Sequence, residues 1–267
     1  MNKNEIIAMI NEMGYEVEER AIYKREYDGE IESLTIKIGQ VSPTIYPCTL
    51  EDADEDEVRA LIERATSNVP NVDPETLLDG ALDRVRIGVL PSGDYPFIHE
   101  PTTYEGIDEF YYIPVDEIGG NIKVTEDILD RLNVDKNTLA EVATKNTYEV
   151  ATIQGIGDVL ASMMGDDAPD MCDKPTMLVC SVDNKTLGAG VIMCSMLDAL
   201  DKLGVDEMVM LPSSIHEVIC VPYIPMETEM EYMSQMVREV NATQLAPNEV
   251  LANTAYIVSR EGVRICA

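Results

Sequence analysis

The spacing of apolar positions breaks this chain into short helices and strands. NEIIAMINEMG sets Ile6, Ile7, Ile10 and Met13 on one helical face and stops at Gly14. YEVEERAIYK and SLTIKIG read as strands on either side of the turn-rich Tyr27-Asp-Gly-Glu, and TIYP as a further short extended piece. The acidic EDADEDE leads into VRALIERA, where Val58, Leu61, Ile62 and Ala65 recur at helical spacing. A short helix is predicted near PETLLDGAL with Pro74 at its start, and a strand over DRVRIGVL. Residues 91–106, PSGDYPFIHEPTTYEG, show no periodicity and gather Pro and Gly. They mark the expected boundary: an N-terminal α+β subdomain over 1–92, a connecting loop over 93–106, and a C-terminal α+β domain over 107–267.

DEFYYIPV then reads as a strand, GNIKVTEDILDRLNV as a strand running into a helix capped by Thr125, and NTLAEVATKN as a helix. GDDAPDMCDKP, residues 165–175, reads as a polar joint. The last hundred residues are the most regular. TMLVCSV is a strand, GAGVIMCSMLDALDKLG a helix ending at Gly204, EMVML and EVICVPY two strands, and TEMEYMSQMVREV a helix. AYIVS and VRICA pair across Arg260-Glu-Gly262. The order β-α-β-β-α-β with a central hairpin predicts an α+β class with mixed or antiparallel sheets, not a parallel nucleotide-binding sheet. Met226, Met230, Met233 and Met236 form a helical stripe that is expected to face the core.

Composition adds electrostatics. The 267 residues carry 50 acids against 19 bases, a formal net charge of −31. A field of that sign repels phosphate backbones and anionic bilayers, so neither direct nucleic-acid binding nor membrane association is expected. It favours solubility and basic protein partners. No apolar run approaches the ~18 residues of a membrane span, and the N-terminus lacks a signal-peptide layout. Six cysteines show no CxxC pair, and several sit in apolar runs, consistent with a reducing cytoplasm.

Candidate chemistry is sparse. Asp52, Asp54 and Asp56, with Glu63, mimic calcium-loop positions, but Glu57 stands where the turn glycine belongs and a helix begins at once; acids at a helix N-terminus account for them. Leu187-Gly-Ala-Gly190 lacks both the third glycine of a dinucleotide fingerprint and the lysine of a phosphate loop, so close helix packing is its expected role. The two histidines, each followed by glutamate, offer a weak shared metal set of His99, Glu100, His216 and Glu217. Asp166, Asp167, Asp170, Cys172 and Asp173 read as a solvated loop. The pentad SSIHE offers Ser213 or Ser214 as nucleophile and His216 as base, with Glu217 alongside. No GxSxG elbow accompanies it, and residues two apart on a hairpin lie side by side. A strand-to-strand turn is the expected reading.

LPSSIHEVICVP, followed by MVREVNATQLAPNEVLANTAYIVSREG, resembles the C-terminal signature of an uncharacterised family of acidic proteins from gut Firmicutes and their mobile elements. SPTIYP and AEVATKNT are similar to further blocks of that family. The resemblance implies a bacterial cytoplasmic setting and supplies no catalytic residues. The leading expectation is therefore a non-catalytic, acidic protein-interaction module with a basic or DNA-binding partner and no cofactor. In its sharper form the protein mimics nucleic acid against a DNA-binding or defence protein. The competing class is a hydrolase using His216 with Glu217 or Ser213/Ser214.

Overall fold

The computed structural model describes all residues except 25–28, 39–41, 68, 70–75, 117–118, 165–174, 184–185, 213, 226–229 and 266–267. Tyr27 and Asp28 of the predicted turn and the acidic loop 166–173 thus lie outside the described residues. The chain forms two compact units: Met1–Asp79 with Val115–Gly119, and Gly80–Pro114 with Gly120–Ala267.

The first unit opens with α1 (Lys3–Glu12), which starts in a capping box between Asn2 and Glu5 and ends before Gly14 at φ +89°. β1 (Glu16–Lys24) and β2 (Gly29–Lys37) pair antiparallel in register Val17↔Ile36, and β3 (Thr44–Ile45) adds to the edge of β2. α2 (Glu55–Ser67) begins within the acidic run, with Glu55, Asp56 and Glu57 in its first turn. Ile6 and Ile10 of α1, Leu34 and Ile36 of β2, and Val58 and Ile62 of α2 form the buried core. The predicted helical and strand periodicities therefore point inward as read.

The second unit contains β4 (Arg86–Pro91), β5 (His99–Pro101), β6 (Ile107–Val115) and β7 (Gly120–Lys123), then α3 (Glu126–Leu132) and α4 (Lys136–Glu149). β8 (Ala151–Gly155), α5 (Ile156–Met164), β9 (Leu178–Val182), α6 (Met196–Leu203), β10 (Glu207–Leu211) and β11 (Val218–Pro222) follow, then α7 (Met230–Gln244), β12 (Tyr256–Ser259) and β13 (Gly262–Ile265). β4, β6 and β5 make one antiparallel sheet with β7 on β6. The larger sheet has order β13-β12-β10-β11-β9-β8 and is antiparallel throughout. Its β9-α6-β10-β11-α7-β12 centre is the predicted unit, and the class is α+β. Segment 93–106, read as a connecting loop, lies inside the second unit, with His99–Pro101 paired to β6.

Three further readings change. β8 and α5 have no counterpart in the predicted elements; VATIQGIGDVL switches from strand to helix at Gly155 without a turn signal. Around PETLLDGAL, the described part forms 3-10 turns at Thr76–Leu78 and Ala81–Asp83, separated by Gly80 at φ +63°. The single helix expected after Gly188 is two pieces, a 3-10 segment Gly188–Met193 and then α6.

That 3-10 segment is squeezed between the two sheets. An added Cβ at Gly188 would overlap the Ser181 hydroxyl and the His216 carbonyl oxygen, and one at Gly190 would overlap the Ile87 carbonyl oxygen. Leu187, at φ +65°, packs beside Leu90, Phe110 and Tyr112 on the smaller sheet. The glycines thus serve close packing, as read from the sequence. Two tyrosine hydroxyls support the joint: Tyr104 donates to the Ile192 carbonyl at 3.3 Å and Tyr256 to that of Glu105 at 2.6 Å.

The described side chains of the Met stripe do not face the core. Met226 and the side chain of Met230 lie outside the described residues, Met233 is half-buried and Met236 is exposed, while α7 buries Ser234, Val237 and Asn241. Of the described cysteines, Cys180 and Cys220 are buried neighbours on β9 and β11, whereas Cys48 is exposed. The thiol contact with Cys180, together with burial, pushes the Cys220 thiol well up.

Two outcomes are expected. Gly190→Ala should cost about 1–3 kcal/mol or more, read as a lowered Tm, because the overlapped atom is backbone and cannot rotate away. Iodoacetamide followed by mass spectrometry should label Cys48 in the native protein and reach Cys180 and Cys220 only on unfolding.

Candidate functional site

The SSIHE segment joins β10 to β11, as a hairpin connection should, but it is no free turn. Ala252 N–H donates to the Pro212 carbonyl, Ser214 forms a β-bridge with Val250, and Ile215 N–H donates to the Glu249 carbonyl at 2.9 Å. On the other side Ala189 N–H donates to the Ile215 carbonyl at 3.1 Å, and Ser181 Oγ donates to the His216 carbonyl at 3.0 Å. The loop is therefore stitched between the 187–190 segment and the 246–252 segment.

The side chains follow from that stitching. His216 Nε2 lies 3.5 Å from Glu249 Oε1, while Nδ1 is buried without a hydrogen-bond partner. Ser214 is buried, and its hydroxyl oxygen accepts from the His216 backbone N–H at 3.0 Å. This is the local hydroxyl-to-backbone bond typical of Ser in turns. Glu217 is exposed, and Ser213 lies outside the described residues. The structure thus brings His216 to Glu249, which sequence reasoning did not single out. Glu249 closes its own turn, with Ala246 N–H 3.3 Å from Oε2. Nε2 is engaged with a carboxylate and Nδ1 is enclosed, so the ring presents no nitrogen to the Ser214 hydroxyl.

The other histidine sits in a distinct polar cluster on the smaller sheet. Asp108, on β6, is 4 % exposed. Ser92 Oγ donates to its Oδ1 at 2.5 Å, and His99 Nδ1 lies 3.2 Å from its Oδ2. A carboxylate only accepts, so the neutral imidazole carries its proton on Nδ1 and its lone pair on Nε2. The rings of Tyr95 and Phe97 stand edge-on to His99, with centroids at 5.3 and 6.3 Å. Phe110 fills the space over Gly88, where a Cβ would come within 2.5 Å of its ring. Ser92 serves the carboxylate and not the imidazole, so the three side chains are not in the order of a nucleophile–base–acid relay. Asp108 was missed because DEFYY reads as a strand and a lone Asp within it carries no spacing signal.

The weak metal set is dispersed. His99 pairs with Asp108 and His216 with Glu249, and Glu100 lies on the opposite face of β5 from His99, directly across from Glu109. Among the described residues no three His, Cys, Asp or Glu side chains are grouped to hold a metal ion. At the calcium-like run, Asp54 and Glu57 are consumed in a reciprocal cap: Glu57 N–H donates to Asp54 Oδ1 and Asp54 N–H to Glu57 Oε2. An open hollow of about 510 Å³ in the first unit is lined by residues including Lys3, Glu32, Cys48 and Glu51, and holds neither histidine.

Half-buried Glu109 accepts from the Tyr111 hydroxyl at 2.8 Å. Burial raises its carboxyl above the usual 4.5, the Tyr111 hydrogen bond opposes this, and the facing Glu100 adds to the rise. Burial, with the Glu109 charge beside it, pushes the Tyr111 phenol up in turn.

The chain belongs to DUF5688, a family of unknown function whose profile matches residues 110–260. That span includes the stitched loop with His216 and Glu249, and all of α7. No curated protein and no solved structure matches the chain.

His99→Ala leaves the buried Asp108 carboxylate one donor short and should cost about 1–3 kcal/mol; adding Asp108→Asn should recover part of that loss in a double-mutant cycle of thermal unfolding. Glu109 predicts a pH slope. Its folded-state value is raised, so its favourable contribution is full below the unfolded value near 4.5 and is lost as pH rises through the folded value. Glu109→Gln should keep the Tyr111 hydrogen bond and flatten the stability profile across that window, measured as Tm against pH.

Proposed function

We propose that this protein is an acidic protein-interaction module that engages the basic surface of another protein without a catalytic step of its own. One observation carries this reading: the described bases are largely consumed internally. Lys3 lies between Glu19 and Glu32, Arg20 and Lys37 both reach Glu18, and Arg86 holds Asp183. Lys136 pairs with Glu126, Arg238 with Glu231, Arg260 with Asp201 and Arg264 with Glu207. Each exposed pair adds little stability and leaves the net charge unchanged, but it keeps those bases from standing apart as cationic spots on the surface. With a net charge of −31, the surplus carboxylates dominate what a partner meets.

In the mobile-element setting that the sequence resemblance implies, the partner would be a DNA-binding or defence protein, and the acidic surface would stand in for a phosphate backbone. A hydrolase built on His216 has less support, since both ring nitrogens are occupied or enclosed and Ser214 Oγ is engaged by backbone.

Immobilised protein should retain basic or DNA-binding proteins from a bacterial lysate at about 50 mM salt and release them by about 500 mM, as screening shortens the field. Duplex DNA should compete for the retained protein if the surface replaces a phosphate backbone. Retention of nothing basic at the lower salt would sink the proposal.

A further inference from the structure

The last long helix leaves half of its apolar face uncovered. On α7, Met233, Met236, Val237 and Val240 fall at i, i+3, i+4 and i+7, the spacing of a single apolar stripe. A helix satisfied by its own fold turns that stripe inward. Here Val237 alone is sealed, at 2 % exposure; Met236 is 36 % and Val240 37 % exposed, and Tyr232, one turn earlier, is 57 % exposed. The buried line runs instead through Ser234, Val237 and Asn241, displaced by about a quarter of a turn.

Polar contacts hold the helix in that rotation. Ala255 N–H donates to Ser234 Oγ at 3.1 Å, and the Thr254 hydroxyl lies 3.3 Å from the same oxygen. Asn241 Nδ2 donates to the Ala252 carbonyl and to Asn253 Oδ1, both at 2.8 Å. Rolling α7 to bury Met236 and Val240 would pull Ser234 and Asn241 out of these bonds and strand the buried groups they satisfy. The exposed stripe is therefore pinned outward by hydrogen bonds.

What covers it is constrained by charge. Glu239 borders the stripe beside Tyr232, and the one cation on the helix, Arg238, lies on the far side, bound to Glu231 at 2.7 Å. A second copy would bring another −31 against the same face, which opposes self-association. We propose that the Tyr232–Met236–Val240 face of α7 is a docking surface for a basic amphipathic helix of a partner protein. Its apolar side would lie on the methionine and valine, its lysines or arginines would meet Glu239 and the wider acidic surface, and Tyr232 would supply a stiff aromatic contact at one end. This rests on the acidic-module reading and names the surface through which that module would work.

The test uses the full chain and two synthetic peptides. One is an amphipathic Leu/Lys helix; the other keeps its lysines but has Ser in place of Leu. Fluorescence anisotropy at about 50 mM salt should show the Leu/Lys helix binding well above the Ser/Lys control. The double variant Met236→Ser/Val240→Ser should weaken the Leu/Lys helix roughly tenfold or more and leave the control unchanged. Unaltered circular dichroism and Tm would show that the variant still folds. Equal binding of the Leu/Lys helix to wild type and variant would overturn the docking surface while leaving the acidic module standing. If neither basic peptide binds at low salt, the module reading fails as well. Concentration-dependent dimerisation in sedimentation that the double variant abolishes would assign the face to a second copy and overturn the proposal.

Discussion

The second unit depends on a close backbone approach. Gly188 and Gly190 let the chain pass between two sheets with no room for a side chain, one against Ser181 and the His216 carbonyl, the other against the Ile87 carbonyl. Everything near this crossing is placed by it. Ala189 N–H fixes the Ile215 carbonyl, the loop carrying His216 is drawn down onto it, and Leu187 is carried into the aromatic cluster of the smaller sheet. A single methyl group at either glycine would push on backbone, which cannot yield as a side chain can.

The two histidines show how similar dipeptides acquire different surroundings. His99 faces a buried aspartate that is also served by a serine and that holds one of its ring nitrogens. His216 leans on Glu249 while its remaining nitrogen is enclosed without a partner. Among the described residues neither is grouped with two further His, Cys, Asp or Glu side chains that could hold a metal ion. On the surface, ion pairs engage many of the described bases, and hydrogen bonds turn α7 so that Tyr232, Met236 and Val240 face out.

Local patterns account for much of the fold. The stop at Gly14, the Thr125 cap, the β10–β11 hairpin and the β12–β13 hairpin were legible because each rests on a local rule: a left-handed glycine, a hydroxyl accepting from the first turn, and period-two alternation. β8 and α5 were not legible, because Gly155 joins strand to helix directly and residues 150–160 suit either state. Of the site, SSIHE was recognisable as a turn and His216 as its titratable residue. Glu249 and Asp108 were not, because their partners arrive from elsewhere in the chain.

By itself, then, the sequence determined the α+β class, the order of the C-terminal elements, the excess of negative charge and the need for small residues at 188–190. These follow from composition and from periodicities spanning a few residues. Only the tertiary structure decided which carboxylate each histidine meets, that His99–Pro101 within segment 93–106 forms a sheet strand, and that α7 turns part of its methionine stripe to solvent. Amphipathic spacing states which face of a helix is apolar; which face is buried is decided by what lies beneath it. Here that is a set of hydrogen-bonding groups at residues 252–255 that hold Ser234 and Asn241 inward.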